Sequence, residues 1–178
     1  MNMAETAHTK ALFFVLAAGS LWSFGALTIR YMVDPQIYRW QYLFFRGLTV
    51  AAILCVCLIA KDGSRFFNHF KRIGMPGIVG AFGLLGAFIC FIWSITLTTA
   101  ANTLFLFATT PFLAAFMGIV ILKEKINPFT WVAMTVALIG ITVMVIEGLE
   151  AGSVLGTVTG FAAACGFSIF SVSLRWRK

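Results

Sequence analysis

Arg46 has more chemistry to offer than any other residue of this sequence. It stands inside the apolar run from Tyr38 to Ala60, where the other charge is Arg39, one residue from the start. It lies about three residues from the middle of that run, or about 4.5 Å along a helix axis. An arginine at such a depth costs at least about 2.5 kcal/mol to place in a bilayer, so it needs a partner. The six acids are Glu5, Asp34, Asp62, Glu124, Glu147 and Glu150, and none falls inside an apolar run. Three kinds of partner remain: backbone carbonyls, a group beyond this chain, or an anionic substrate. Arg39, Tyr42, Arg46 and Thr49 step by three, four and three, so they share one helical face. That face can serve either as a structural anchor or as a contact for substrate.

A second polar stripe lies in the run from Ala100 to Leu122. Asn102 and Thr109 are seven apart, as are Thr103 and Thr110, so all four follow one face. Pro111 sits in the middle of the run. It has no N–H, and so leaves the carbonyl of Phe107 without its usual helical donor and predicts a kink there. In lipid that carbonyl must face protein, a polar side chain or water. The stripe suits the wall of a polar cavity. It equally suits a packing helix whose threonines bond back to their own backbone. The run stops at Lys123-Glu124-Lys125, where Glu124 is expected to end the helix and pair with the nearby lysines.

Other chemistry finds no residues to carry it. His8 and His69 both lie outside the apolar runs, and no Ser-His-acid set can be assembled. Cys55, Cys57, Cys90 and Cys165 all fall within apolar runs and read as small buried hydrophobes. The sequence therefore predicts no enzyme, no metal site and no cofactor. The 178 residues are 61% hydrophobic and 11% charged, with a mean hydropathy of +0.97. A soluble domain averages about 25% charged residues. The fold class is therefore all-α, a polytopic membrane helix bundle. A net charge of +7 could suggest nucleic acid in a soluble protein. Here the basic residues sit mostly in the gaps between apolar runs, the pattern of cytoplasmic loops.

Six transmembrane helices are expected, at about 11–32, 38–60, 74–96, 100–122, 128–146 and 153–174. The first could mimic a signal peptide, but its apolar run continues past Trp22 and Phe24. In the Lys61–Arg72 linker, Phe66, Phe67, Phe70 and Ile73 recur at helical spacing, which suits a short amphipathic helix on the headgroups and equally an irregular loop whose phenylalanines dip into lipid. Gly74, Gly77, Gly80, Gly83 and Gly86 form a ridge that a neighbouring helix can approach closely. Trp22, Trp40 and Trp93 are expected to face lipid, sit at the interface or pack. Lys61, Arg65, Lys71, Arg72, Lys123, Lys125, Arg175, Arg177 and Lys178 all fall on one side if every run crosses. The positive-inside rule places that side and the amino terminus in the cytoplasm, against Arg30 and Arg39 outside.

An internal repeat links the first and last runs. Residues 17–31 match residues 162–176 at an offset of 145, pairing Trp22 with Phe167, Ser23 with Ser168 and Arg30 with Arg175. Five spans separate the copies, and an odd number inverts the second. Inverted-topology repeats are an architecture of secondary transporters. Two such units need about 290 residues, so the chain is expected to be truncated after the first helix of its second repeat.

The order and spacing of several motifs resemble the drug/metabolite transporter superfamily, of EamA type. Trp22-Ser23 with Arg30 resembles the family's first helix, although its usual basic residue there is lysine. Arg46 matches the arginine of its second helix. Ala100-Ala101, Pro111 and Leu122-Lys123-Glu124-Lys125 match its fourth, and Gly140 matches the glycine of its fifth. The resemblance implies a first repeat over residues 11–148, followed by 153–174 as the first helix of an incomplete second repeat. It implies ten helices in two inverted halves of five. The function it implies is a permease in a bacterial inner membrane, moving small metabolites or drugs by alternating access. The competing class is a membrane scaffold or assembly factor without transport. Expected substrate contacts are Arg46, Tyr42, Thr49, Asn102, Thr103, Thr109 and Thr110. Expected partners are the lipid bilayer, a small-molecule substrate and a second copy of the chain, with no nucleic acid.

Overall fold

A long apolar run can satisfy its backbone in lipid by closing every N–H onto its own segment, which is what an α-helix does. The computed structural model describes residues 3–63, 73–124, 127–149 and 153–176, and these are helical with short connections. The helices are α1 (Met3–Arg30), α2 (Pro35–Asp62), α3 (Gly74–Leu97), α4 (Ala100–Phe107), α5 (Thr110–Leu122), α6 (Pro128–Leu149) and α7 (Val154–Arg175). Five stretches are long and apolar enough to cross a membrane: Ala11–Ile29, Pro35–Lys61, Gly74–Leu97, Ala100–Leu122 and Val154–Arg175. Helix α6 has 22 residues, of which Pro128–Gly140 form a shorter apolar segment. The protein is an all-α polytopic membrane bundle. The amphipathic helix expected in the linker falls on residues 64–72, outside the described residues.

The chain divides into two compact units, Met1–Pro35 and Gln36–Lys178. The first is α1 and the turn that ends it, where Tyr31 N–H returns to the Leu27 carbonyl at 3.1 Å and Asp34 takes a positive φ of 45°.

In the second unit α7 is the central helix. It packs along α3 and also touches α4 and α5, while α6 packs on α4. Small residues make this packing close. Ala163 and Ala164 of α7 and Ile92 of α3 have no exposed surface. A side chain added at Gly83 would stand 2.8 Å from the Gly166 carbonyl, and one at Gly166 would stand 2.7 Å from the Gly83 carbonyl. The two backbones therefore touch where both helices lack a Cβ, as small-residue packing in membranes requires. Gly80 faces the side chain of Ser173 instead, whereas Gly86 has open space around it. The glycine ridge thus contacts its neighbour at Gly80 and Gly83, and the neighbour is α7.

Ser153 joins two helix ends with one hydroxyl. It accepts from Gly156 N–H at 3.0 Å as the N-cap of α7 and donates to the last-turn carbonyl of Leu97 at 3.1 Å. Both groups are orphans of helix termini. The start of α7 thus lies beside the end of α3, and these helices run antiparallel. At the opposite face the ends of α5 and α7 meet through Glu124 and Arg175.

The run Ala100–Leu122 is broken into two helices at Ala108 and Thr109. Pro111 explains the break, since α5 begins with it in the first turn, where no donor is needed. The hydroxyl of Thr110 donates to the carbonyl of Phe107 that the proline deprives of a helical donor. Thr109 donates likewise to the Leu106 carbonyl at 2.6 Å.

Candidate functional site

Helix α2 reaches α3 with long side chains. Arg39 lays its guanidinium over the Trp93 ring, 4.4 Å from the centroid, and Arg46 lies over Phe88 at 4.5 Å. These are cation–π distances, worth about 0.5–2 kcal/mol each according to desolvation. Trp40 meets Trp93 edge to face at 6.3 Å. Gln36 adds a bond to the Thr96 carbonyl at 3.4 Å, so the start of α2 lies at the end of α3.

Between these contacts lies a cleft of about 540 Å³. Leu43, Gly47, Val50 and Leu54 of α2 line it opposite Leu85, Phe88 and Ile89 of α3, and Arg46 is its one charged residue. Its volume falls in the usual range for ligand sites, and an apolar wall with one polar group is the usual composition. A larger cleft of about 730 Å³ between α3 and α7 is lined by apolar residues, glycines and the thiols of Cys90 and Cys165. It offers no charged group to orient a ligand.

The polar partners around the first cleft are unbalanced. Arg46 makes no hydrogen bond or ion pair with any described residue. Arg39 donates through Nε to the Gln36 carbonyl at 2.7 Å, but its Nη1 is buried with no partner. Trp93 Nε1 is buried with no partner as well. All of these atoms are donors. The backbone carbonyl that the sequence offers to Arg46, that of Phe107, receives Thr110 instead.

The other expected contacts lie elsewhere. Thr49 spends its hydroxyl on the Phe45 carbonyl at 2.8 Å, and Tyr42 is half-buried without lining the cleft. Asn102 and Thr103 are sealed beneath α7, at 1% and 0% exposure. Asn102 donates to Thr98 at 3.0 Å and Thr157 at 3.2 Å, and Thr103 shares a 2.9 Å bond with Ser94. Thr110 is buried, and its carbonyl accepts from Ser168 of α7 at 3.0 Å. The structure therefore gathers Asn102, Thr103 and Thr110 under α7 and leaves Arg46 in a separate cleft on α3.

Sequence reasoning missed Phe88, and it named Trp93 as a lipid-facing, interfacial or packing aromatic without its role beneath Arg39. The signal was present, since an intramembrane arginine without an acid calls for an aromatic face or a carbonyl on the adjacent helix. It also missed Arg175 as the partner of Glu124. Arg175 forms a 2.7 Å ion pair with Glu124, while Lys125, one of the lysines expected to pair with it, lies outside the described residues. Lys123 takes a left-handed conformation (φ 55°), and Glu124 N–H returns to the Gly118 carbonyl at 3.3 Å. Among the described residues no three His, Cys, Asp or Glu side chains gather as a metal site.

Comparison with known proteins agrees with this architecture. The EamA-like transporter family matches residues 9–146. An uncharacterized transporter of Archaeoglobus fulgidus is 26% identical over 146 residues, covering 82% of this chain. The chain spans about half the length of this curated relative, 50%. No solved structure matches. With apolar membrane helices, a proline-broken fourth span and a family match across most of its length, this chain belongs to the EamA-like transporter family.

Proposed function

We propose that this chain forms the first repeat and the following helix of a secondary transporter that moves small metabolites or drugs by alternating access. The substrate binds in the cleft between α2 and α3, around Arg46. The observation that carries this reading is an arginine set at mid-span in a cleft of about 540 Å³ with no acceptor among the described residues. A charge in that position is costly unless something compensates it, and a membrane-embedded charge marks a substrate pathway by default. Membership in a transporter family supports the same reading. The close packing of α7 on α3, α4 and α5 fits a second repeat that begins on the core of the first. The chain lies in a bacterial inner membrane with its amino terminus in the cytoplasm.

The test is uptake into proteoliposomes containing the protein, screened over labelled organic anions, cations and neutral solutes. Solute accumulation above protein-free vesicles, lost in Arg46→Gln, is expected. A properly folded protein that moves none of them would favour the non-transporting scaffold.

A further inference from the structure

The substrate reading above leaves the chemical class open, and the polar inventory of the α2–α3 contact narrows it. We infer that the cleft takes an amphiphilic organic anion, an acid group carried on an apolar or aromatic body; this rests on the cleft being the substrate site.

Among the described residues every unpartnered polar group on this contact is a donor: the Arg46 guanidinium, Arg39 Nη1 and Trp93 Nε1. A bound cation or a hydrogen-bond donor would worsen that imbalance. A carboxylate, sulfonate or phosphate would supply acceptors at Arg46, the one of these three groups that lines the cleft, because it brings only acceptors. Arg46 stacks one face on Phe88, which leaves the N–H edge of its planar fork for a two-oxygen acceptor. The rest of the cleft fixes the other half of the ligand. Leu43, Val50, Leu54, Leu85 and Ile89 present apolar surface on both walls, so a small hydrated anion would leave most of the volume without a complement. An acid group on a ring or short chain fills both parts at once. Arg39 lies seven residues before Arg46, or about 10 Å along the helix, near the start of α2. It gives the same anion a cation on the way in.

An anionic lipid shares this chemistry, with a charged head on an apolar body, so the experiment must separate the two sources. The protein is placed in phosphatidylcholine nanodiscs and titrated calorimetrically with 1-naphthylacetate and with its neutral isostere 1-naphthylacetamide. The acid is expected to bind more tightly than the amide by about tenfold or more, the worth of a charge-assisted hydrogen bond. Arg46→Gln is expected to abolish that preference. Equal binding of acid and amide by the unaltered protein, both lost in Leu85→Trp, would overturn the anion inference while keeping the cleft as the site. Binding of neither compound, or binding unmoved by Arg46→Gln and Leu85→Trp, would overturn the cleft reading itself. The titration is then repeated with phosphatidylglycerol in the nanodisc. A preference that survives identifies a soluble anion, and one that disappears identifies the lipid headgroup; both keep the chemistry proposed. The acid–amide comparison needs no variant, so a folding defect in any of them does not blunt it.

Discussion

Arg175 of α7 donates to Glu124 at 2.7 Å, and the same guanidinium donates to the Ala114 carbonyl of α5 at 3.3 Å. One arginine therefore ties the end of α7 to the end of the broken fourth span. Gly118 makes room for it, since a Cβ there would stand 2.8 Å from Glu124 Oε2 and 3.4 Å from Arg175 Nη2. The side chains are 41% and 39% exposed, which limits the pair to the strength of a surface salt bridge, about 0.2–1 kcal/mol. Glu124→Gln should lower stability by no more than that. Arg175→Gln should cost more, because the Ala114 carbonyl also loses a donor. A double-mutant cycle by denaturant unfolding in detergent measures the coupling. Losses that simply add in the double variant would show that the two groups do not act as a pair.

The contact of α3 with α7 makes a sharper comparison. At Gly83 an added methyl meets the Gly166 backbone carbonyl at 2.8 Å and Ile169 at 2.9 Å, and backbone cannot step aside cheaply. Gly83→Ala should destabilise by about 1–3 kcal/mol, the range for overpacking. Gly86 has nothing within 4 Å, so Gly86→Ala should be neutral or stabilising by about 0.5–1 kcal/mol through helix propensity. Thermal unfolding of the two variants in one detergent gives the answer, and equal shifts would reject this packing.

These positions also show where reading the sequence stops. A glycine at every third residue turns each successive ridge position about 60° from the last, because a helix takes 3.6 residues per turn. Gly80 and Gly83 can share a neighbour, but Gly86 has rotated away. The run of glycines was legible, and so was the need for close approach. Which helix approaches was not, since α7 comes from a distant part of the chain. The same holds for Asn102, Thr103 and Thr110. A spacing of seven keeps them on one face, yet nothing local says that the face lies beneath α7. Arg46 was legible as a costly charge in search of a partner. The aromatic face of Phe88 was hidden, because cation–π contacts leave no periodic mark in either helix.

Orientation can be checked by thiol labelling. Lys61, Lys123 and Arg175 close α2, α5 and α7, and the positive-inside rule assigns such ends to the cytoplasm. With the four native cysteines changed to serine, Gly63→Cys and Leu149→Cys provide one probe on each side. A membrane-impermeant maleimide should label position 149 in intact cells and position 63 only after permeabilisation. The reverse pattern would invert the topology.

The break in the fourth span yields the most specific expectation. Pro111 takes a helical donor from the Phe107 carbonyl, and Thr110 supplies its hydroxyl to the same oxygen. Thr110 is 8% exposed, so water has little access to replace that donor. Thr110→Val keeps the shape of the side chain and removes the hydroxyl. It should cost about 1–3 kcal/mol, the penalty for taking a partner from a buried polar group. Pro111→Ala restores an N–H at the fourth residue after Phe107, so the helix can close through the break. In that background the hydroxyl becomes redundant, and Thr110→Val should cost little. The comparison needs four proteins: unaltered, each single variant, and the double variant. Their stabilities in one detergent give the coupling between the two positions. If Thr110→Val costs the same with proline and with alanine at position 111, its hydroxyl is not answering the proline. The break would then be held by other contacts of α4 and α5 with α7.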